Sequence, residues 1–224
     1  MHNMKLKKNI KLLIAADGGA GSGKTTGSKL ISKKYGLKLL TSGLLYRFVA
    51  FKLLKNKKIK SKNLFLKKIT KNITPRNLNN KNLFSKEVTE YAFKIAKVKK
   101  IRNLLKNYQI NFAKNRLCII EGRDIGTVII PKADLKLFFK CSLNTKAQRR
   151  FNEYRKTNKK ISFYEVKKSI KLRDSNDTKR KISPLKAAKD AVIVDTSKVN
   201  KKQMLTKLSR IIEKKLKEKY GRNL

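Results

Sequence analysis

Residues Ile10 to Thr26 read IKLLIAADGGAGSGKTT, and this stretch decides the fold. Its first part, Ile10 to Ala16, is a short uninterrupted apolar run, which predicts a strand buried on both faces, as in a parallel sheet. At Asp17 the run gives way to GGAGSGKT, Gly18 to Thr25, spaced as G-x-x-x-x-G-K-[ST]. Glycines let successive backbone N–H groups turn inward around an anion, and a helix that starts there directs the positive end of its dipole at the same point. SKLISKKYG, Ser28 to Gly36, supplies that helix, with apolar residues at helical spacing and a glycine stop. Strand, glycine loop and helix in this order predict a nucleoside-triphosphate site. Gly18, Gly19, Ala20, Gly21, Ser22, Gly23, Lys24, Thr25 and Thr26 would cradle the phosphates. Lys24 would reach the β- and γ-phosphates, and the Thr25 hydroxyl would bind Mg²⁺. Asp17 reads equally well as a buried turn-former and as a functional group.

Outward from this stretch, strands and helices alternate. Leu37 to Leu40 reads as a second strand, followed by a helix that Ser42 could cap. RLCIIEG (Arg116 to Gly122) and LKLFFKC (Leu135 to Cys141) read as two more buried strands, and AVIVD (Ala191 to Asp195) as a further strand. Asn144 is expected to cap a helix through Arg155. Ser162 and Glu165 have the spacing of a capping box opening a helix to Arg173, and Asn200 and Gln203 that of another. Asp174 to Pro184 reads as a polar loop. Lys55 to Lys81 is Lys- and Asn-rich and is expected to form a small lobe with little core, or a low-complexity linker. Ser85 to Lys114 holds one or two helices. The fold class expected is α/β, a five-stranded parallel sheet flanked by helices.

Composition narrows the possibilities. The 224 residues carry 60 Lys+Arg against 14 Asp+Glu, a formal net charge of +46. The length suits one core with small inserted lobes. A basic excess of this size invites a nucleic-acid reading, but it runs evenly from Lys5 to Lys219 and forms no stripe, so no specific nucleic-acid partner is expected. Twelve of the basic residues are Arg. Against a lysine background, they mark positions where a planar bidentate fork matters, and several lie beside Gly, Asp or Ser. No apolar stretch approaches the ~18 residues of a membrane span. Two cysteines, Cys118 and Cys141, are too few for a disulfide framework or a zinc site, and a cytoplasmic location is expected.

Two further segments fall at strand ends, where open α/β sheets bind ligands. They are TSGLLYR (Thr41 to Arg47) and EGRDIGT (Glu121 to Thr127). Arg47 and Arg123 would converge there on a second phosphorylated ligand, and Glu121 would orient a magnesium-bound water.

Taken together, DGGAGSGKTT, SGLLYR, EGRDIGTVIIPKADLKLFF, RDSNDTKR with the SPL that follows, and AVIVDTS resemble the bacterial cytidylate kinases over most of the chain. The resemblance implies the P-loop kinase fold and transfer of a phosphoryl group from ATP to CMP or dCMP with Mg²⁺, by a monomer. It implies a core of residues 1–47, 101–154 and 185–224, a monophosphate-binding insertion at 48–100 and a lid at 155–184. Ser42, Arg47 and Arg123 would hold the acceptor phosphate. Arg102 and Asp124 would meet the base, Asp124 as acceptor for the cytosine amine. Arg173 and Asp177 would reach the ribose, and Lys24, Arg123, Arg173 and Arg180 would stabilise the transferring group. Arg149 and Arg150 could face the donor phosphates or solvent. Thr41, where the family commonly has Asp, depart from the pattern, as do Ser175 and Asn176, which replace lid arginines, and Phe93, which stands where a small hydroxyl residue aligns. Other base preferences among monophosphate kinases, or a basic nucleic-acid-binding protein, are the alternatives.

Overall fold

The computed structural model describes Leu6 and residues 9–56, 58–156 and 161–221. The chain divides into two compact units, Met1–Leu39 with Asn115–Leu224, and Leu40–Lys114.

The first unit is built on the sheet. Strand β1 (Leu12–Gly18) leads into helix α1 (Lys24–Tyr35), which Gly36 ends in the left-handed conformation. Further along lie β3 (Leu117–Gly122), β4 (Leu135–Lys140), helix α7 (Leu143–Arg155), helix α8 (Phe163–Lys179), β5 (Val192–Asp195) and helix α9 (Lys201–Tyr220). With β2 (Lys38–Thr41) at one edge, the strand order is β2-β3-β1-β4-β5. β1 is central, running parallel to β3 with Ala16 opposite Glu121 and parallel to β4 with Asp17 opposite Phe138. Every residue of β1 is buried, which is why its sequence reads as a continuous apolar run and not as an alternating one. Leu12, Ile14 and Ala16 share one face with Ile31 and Tyr35 of α1 and Leu208, Ile212 and Leu216 of α9 in one apolar core. A smaller core joins Ala147 of α7 to Val166 and Ile170 of α8.

Both expected capping boxes form, at Ser162/Glu165 and Asn200/Gln203. Two local expectations fail. Ser142, not Asn144, caps α7, accepting a hydrogen bond from the Thr145 N–H. Helix α8 does not stop at Arg173 but runs on to Lys179, so Asp174 and Asp177 are helical residues and not part of a loop. Packing of Val166 and Ile170 against α7 anchors its first two turns, and tertiary burial of this kind overrides the weak helix propensity of a polar tail.

The second unit is helical, with α2 (Ser42–Lys55), α3 (Lys62–Lys71), α4 (Pro75–Leu78), α5 (Lys86–Ile95) and α6 (Lys99–Ala113). Its core holds Leu45, Phe48, Val49, Leu66, Leu83, Val88, Ile101 and Leu105. The Lys55 to Lys81 stretch, expected to carry little core, contributes Leu66, Ile69, Ile73 and Leu78 to it. The reason is spacing: Leu66 and Ile69 lie one turn apart on α3, a buried helical face among lysines, and Ile73 and Leu78 follow beyond its end. The polar residues between also work locally. Thr74 and Asn77 cap α4 reciprocally, and Ser61 caps α3. Ser42 does not cap α2; Thr41 holds the cap position without a side-chain bond.

Candidate active site

The loop between β1 and α1 is shaped by what its glycines allow. Gly18 has φ +157°, and a Cβ there would lie 2.6 Å from the Phe139 carbonyl oxygen. Gly23, which precedes α1, has φ +80°, a left-handed conformation that a side chain would strain. Lys24 is buried and its ammonium donates to the Gly19 carbonyl at 3.1 Å, so it folds back over the loop. Burial pushes the Lys24 ammonium down to about 7; Arg123 and Arg173 push the same way and Glu121 opposes them. Glu121, Arg123 and Arg173 are therefore near enough to act on the charge of Lys24.

Glu121, at the end of β3 and fully buried, accepts a hydrogen bond from the Thr25 hydroxyl at 3.0 Å through Oε1. Its Oε2 is buried without a hydrogen-bond partner, which is costly for a carboxylate oxygen and marks a place for a ligand. An alcohol and a carboxylate oxygen with free acceptor capacity form a hard-oxygen set that suits Mg²⁺.

Beyond Glu121 the chain makes a wide turn, Ile125–Ile129. Asp17, buried at the end of β1, accepts from the Ile125 N–H at 2.8 Å and from the Gly126 N–H at 2.7 Å. Burial pushes its carboxyl up to about 6, although these two N–H groups pull it down. The charged side chains of this turn are tied to α8. Arg123 Nε donates to Asp177 Oδ2 at 2.8 Å, while Arg180 lies 3.6 Å from Asp124 and 3.7 Å from Asp177. Four of the residues singled out by sequence thus form one alternating charge network.

The same helix brings a residue that the sequence reading missed. Asp174 accepts from the Ala20 N–H of the glycine loop and from the Lys146 ammonium, both at 2.8 Å. The Ala20 N–H of the glycine loop is thus turned toward an acidic oxygen. The only sequence signal was its place directly after Arg173. Arg149 and Arg150 divide. Arg149 donates to the Thr196 carbonyl at 2.6 Å and lies against Gly23, whereas Arg150 pairs with Glu153 and stacks over Tyr154.

In the helical unit, Ser42 donates to Gln109 Oε1 at 2.9 Å, both side chains being buried. Arg47 donates to the Leu83 carbonyl and the Thr89 hydroxyl, each at 2.7 Å, and lies over the Phe84 ring. Arg102 donates to the Ala96 carbonyl at 3.1 Å and lies over Tyr46. Gln109 was also missed. It follows Ile101 and Leu105 at steps of four, a polar residue on an apolar stripe, and that was a legible signal.

A family model described as Cytidylate kinase matches residues 14–214. The cytidylate kinase of Thermosipho melanesiensis is 36% identical over 212 residues, spanning 91% of this chain and 98% of that one. That of Fusobacterium nucleatum subsp. nucleatum is 35% identical over 213 residues, with the same coverage. Among solved structures, an uncharacterized protein from Eubacterium ventriosum superposes with a TM-score of 0.55 at 14% identity, covering 91% of this chain and 99% of the other, a likeness of fold alone. The family match extends from within β1, past the glycine loop, the turn after β3 and α8, into the last helix. This chain belongs to the cytidylate kinase family.

Proposed function

We propose that this protein transfers the γ-phosphoryl group of ATP to CMP or dCMP, giving ADP and CDP or dCDP. In that reaction an acceptor phosphate oxygen bonds to the γ-phosphorus, and the bond from that phosphorus to the β–γ bridging oxygen breaks. The observation that carries the reading is the approach of Glu121 and Thr25 beside Lys24, with Arg123 and Asp124 following Glu121 in the same segment. A phosphoryl transfer asks for positioning and charge neutralisation more than for covalent chemistry.

The backbone of Gly18 to Thr26 binds the donor phosphates, and Lys24 neutralises charge on the group in transit. Thr25 and Glu121 would hold Mg²⁺, Glu121 through a water, and the orphaned Oε2 supports this. The ion would supply further charge neutralisation on the phosphate oxygens. We assign Ser42, Arg47 and Arg123 to the acceptor phosphate, Arg102 and Asp124 to the base, and Arg173 and Asp177 to the ribose. Arg180, already paired with Asp124 and Asp177, joins Arg173 at the transferring group. Residues 155–184, of which 157–160 lie outside those described, act as a lid that excludes water as a competing acceptor. The two free thiols, Cys118 and Cys141, support a reducing compartment, the cytoplasm.

A panel of nucleoside monophosphates in a coupled ADP-release assay tests the reading. Turnover on CMP and dCMP is expected. Turnover confined to another base, or none on any monophosphate, overturns it.

A further inference from the structure

We propose that Asp17 is a positioning residue for the acceptor nucleotide, fixing the backbone from which Arg123 and Asp124 project. The proposal rests on the assignment of those two residues to CMP.

Asp17 is 4% exposed, ends the central strand and immediately precedes the glycine loop. Its two oxygens accept from two consecutive amides, Oδ1 from Ile125 and Oδ2 from Gly126. Those amides open the wide turn after β3, and the first N–H groups of any helical turn lack a carbonyl partner within it. Asp17 therefore caps the turn from 108 residues away in sequence. The other side of the same peptide unit is also held. The Asp124 carbonyl accepts from the Val128 N–H at 2.9 Å and the Ile129 N–H at 3.2 Å, while the N–H it shares a plane with, that of Ile125, points at Asp17. A planar peptide held at both its oxygen and its nitrogen has no freedom to rotate. The backbone of Asp124 is fixed on its C-terminal side, and Arg123 is adjacent.

The surroundings are shaped to keep this arrangement. A Cβ on Gly126 would lie 3.2 Å from the Lys136 side chain, a tight contact, and 3.4 Å from Asp17 Oδ2, so the turn packs directly against the carboxylate. Only a carboxylate can supply two acceptors there. Asparagine has the same shape, but its amide nitrogen would face one of the two N–H donors. The brace thus links the strand that carries the donor loop to the segment assigned to the acceptor.

The test is Asp17→Asn in the full chain, with KM measured separately for CMP and for ATP, and Arg123→Ala alone and in combination. The expected result is a rise of about tenfold or more in KM for CMP with KM for ATP within about twofold of the parent, the size of a lost charge-assisted hydrogen bond felt at one substrate. The double variant should raise KM for CMP by less than the product of the single effects, because Asp17 acts through Arg123 and its neighbour. An unchanged KM for CMP in Asp17→Asn, or equal rises for both substrates, overturns the positioning role. If Arg123→Ala itself leaves KM for CMP unchanged, the assignment of Arg123 fails instead. Amide hydrogen exchange on the nucleotide-free parent enzyme decides the case if Asp17→Asn does not fold. The Ile125 and Gly126 amides are expected among the slowly exchanging ones, and fast exchange at both overturns the brace.

Discussion

Twelve of the 14 acidic residues lie in the sheet-bearing unit, and only Glu87 and Glu90 lie between Leu40 and Lys114. The two units hold their working side chains accordingly. In the first, Asp17, Glu121, Asp124, Asp174 and Asp177 each meet a backbone N–H, a hydroxyl, a lysine or an arginine of the site. In the second, neutral oxygens take part: Gln109 meets Ser42, the Leu83 carbonyl and Thr89 meet Arg47, and the Ala96 carbonyl meets Arg102. In a chain with 60 basic residues a lysine carries little information, whereas a retained carboxylate does. Five of the twelve carboxylates in the sheet unit sit around the glycine loop and the turn after β3, where arginines and lysines need partners before substrate arrives.

The sharpest way to break this comparison is Lys24→Ala. If the sheet unit carries the chemistry, kcat should fall by a hundredfold or more, on the scale of about 3–4 kcal/mol per lost charge contact to the reacting group. The variant should still melt cooperatively. A folded variant with more than about a tenth of the parent rate would move the chemistry elsewhere.

The second test concerns the helical unit's own core. Leu105 is fully buried on α6, so Leu105→Ala is expected to cost about 2–5 kcal/mol in denaturant unfolding. A loss well under 1 kcal/mol would mean the lobe is loosely packed, as its lysine-rich sequence suggested. Next comes Arg47→Lys, which keeps the charge and removes the planar fork. It should raise KM for CMP about tenfold and leave KM for ATP near the parent value, because a charge-assisted bond is worth about 1.5–3 kcal/mol. Equal effects on both substrates would remove Arg47 from the acceptor.

Asp174→Asn asks whether the carboxylate on the glycine loop competes with the donor phosphates. Removing a like charge near the loop, worth about 1 kcal/mol in a solvated site, should lower KM for ATP a few-fold. A rise would make Asp174 a support of the loop. The smallest effect is expected from Gln at Lys58, Lys60, Lys67 and Lys68 together, all exposed. KM for CMP should be unchanged at physiological salt, where exposed charges beyond about 8 Å are screened. A severalfold rise would show that surface lysines join the site.

How much of this was legible differs by kind of interaction. Features set by neighbours in sequence could be read directly. The Gly18 to Thr25 spacing, the apolar run of β1, the Gly36 stop and the boxes at Ser162/Glu165 and Asn200/Gln203 each depend on atoms within a turn or two. Ser142 was overlooked for Asn144 because both residues can cap, and only the chain path after β4 chooses between them. The buried pair Leu66 and Ile69 on α3 was present but masked by lysines that dominate the composition without contributing to the core.

What the sequence by itself determined is the glycine loop after a buried strand, since the spacing of its glycines, lysine and hydroxyl is local to one turn. It also marked the arginines, because a planar fork has no substitute. Which carboxylate meets which donor was decided by tertiary structure. Asp17 meets Ile125 because β1 and β3 lie side by side with Asp17 opposite Gly122, and Asp174 meets Ala20 because α8 continues past Arg173 on its packing against α7. A hydrogen bond between residues 108 or 154 positions apart leaves no trace in local spacing. Its partners are chosen by strand register and helix packing, which depend on burial summed over the whole core.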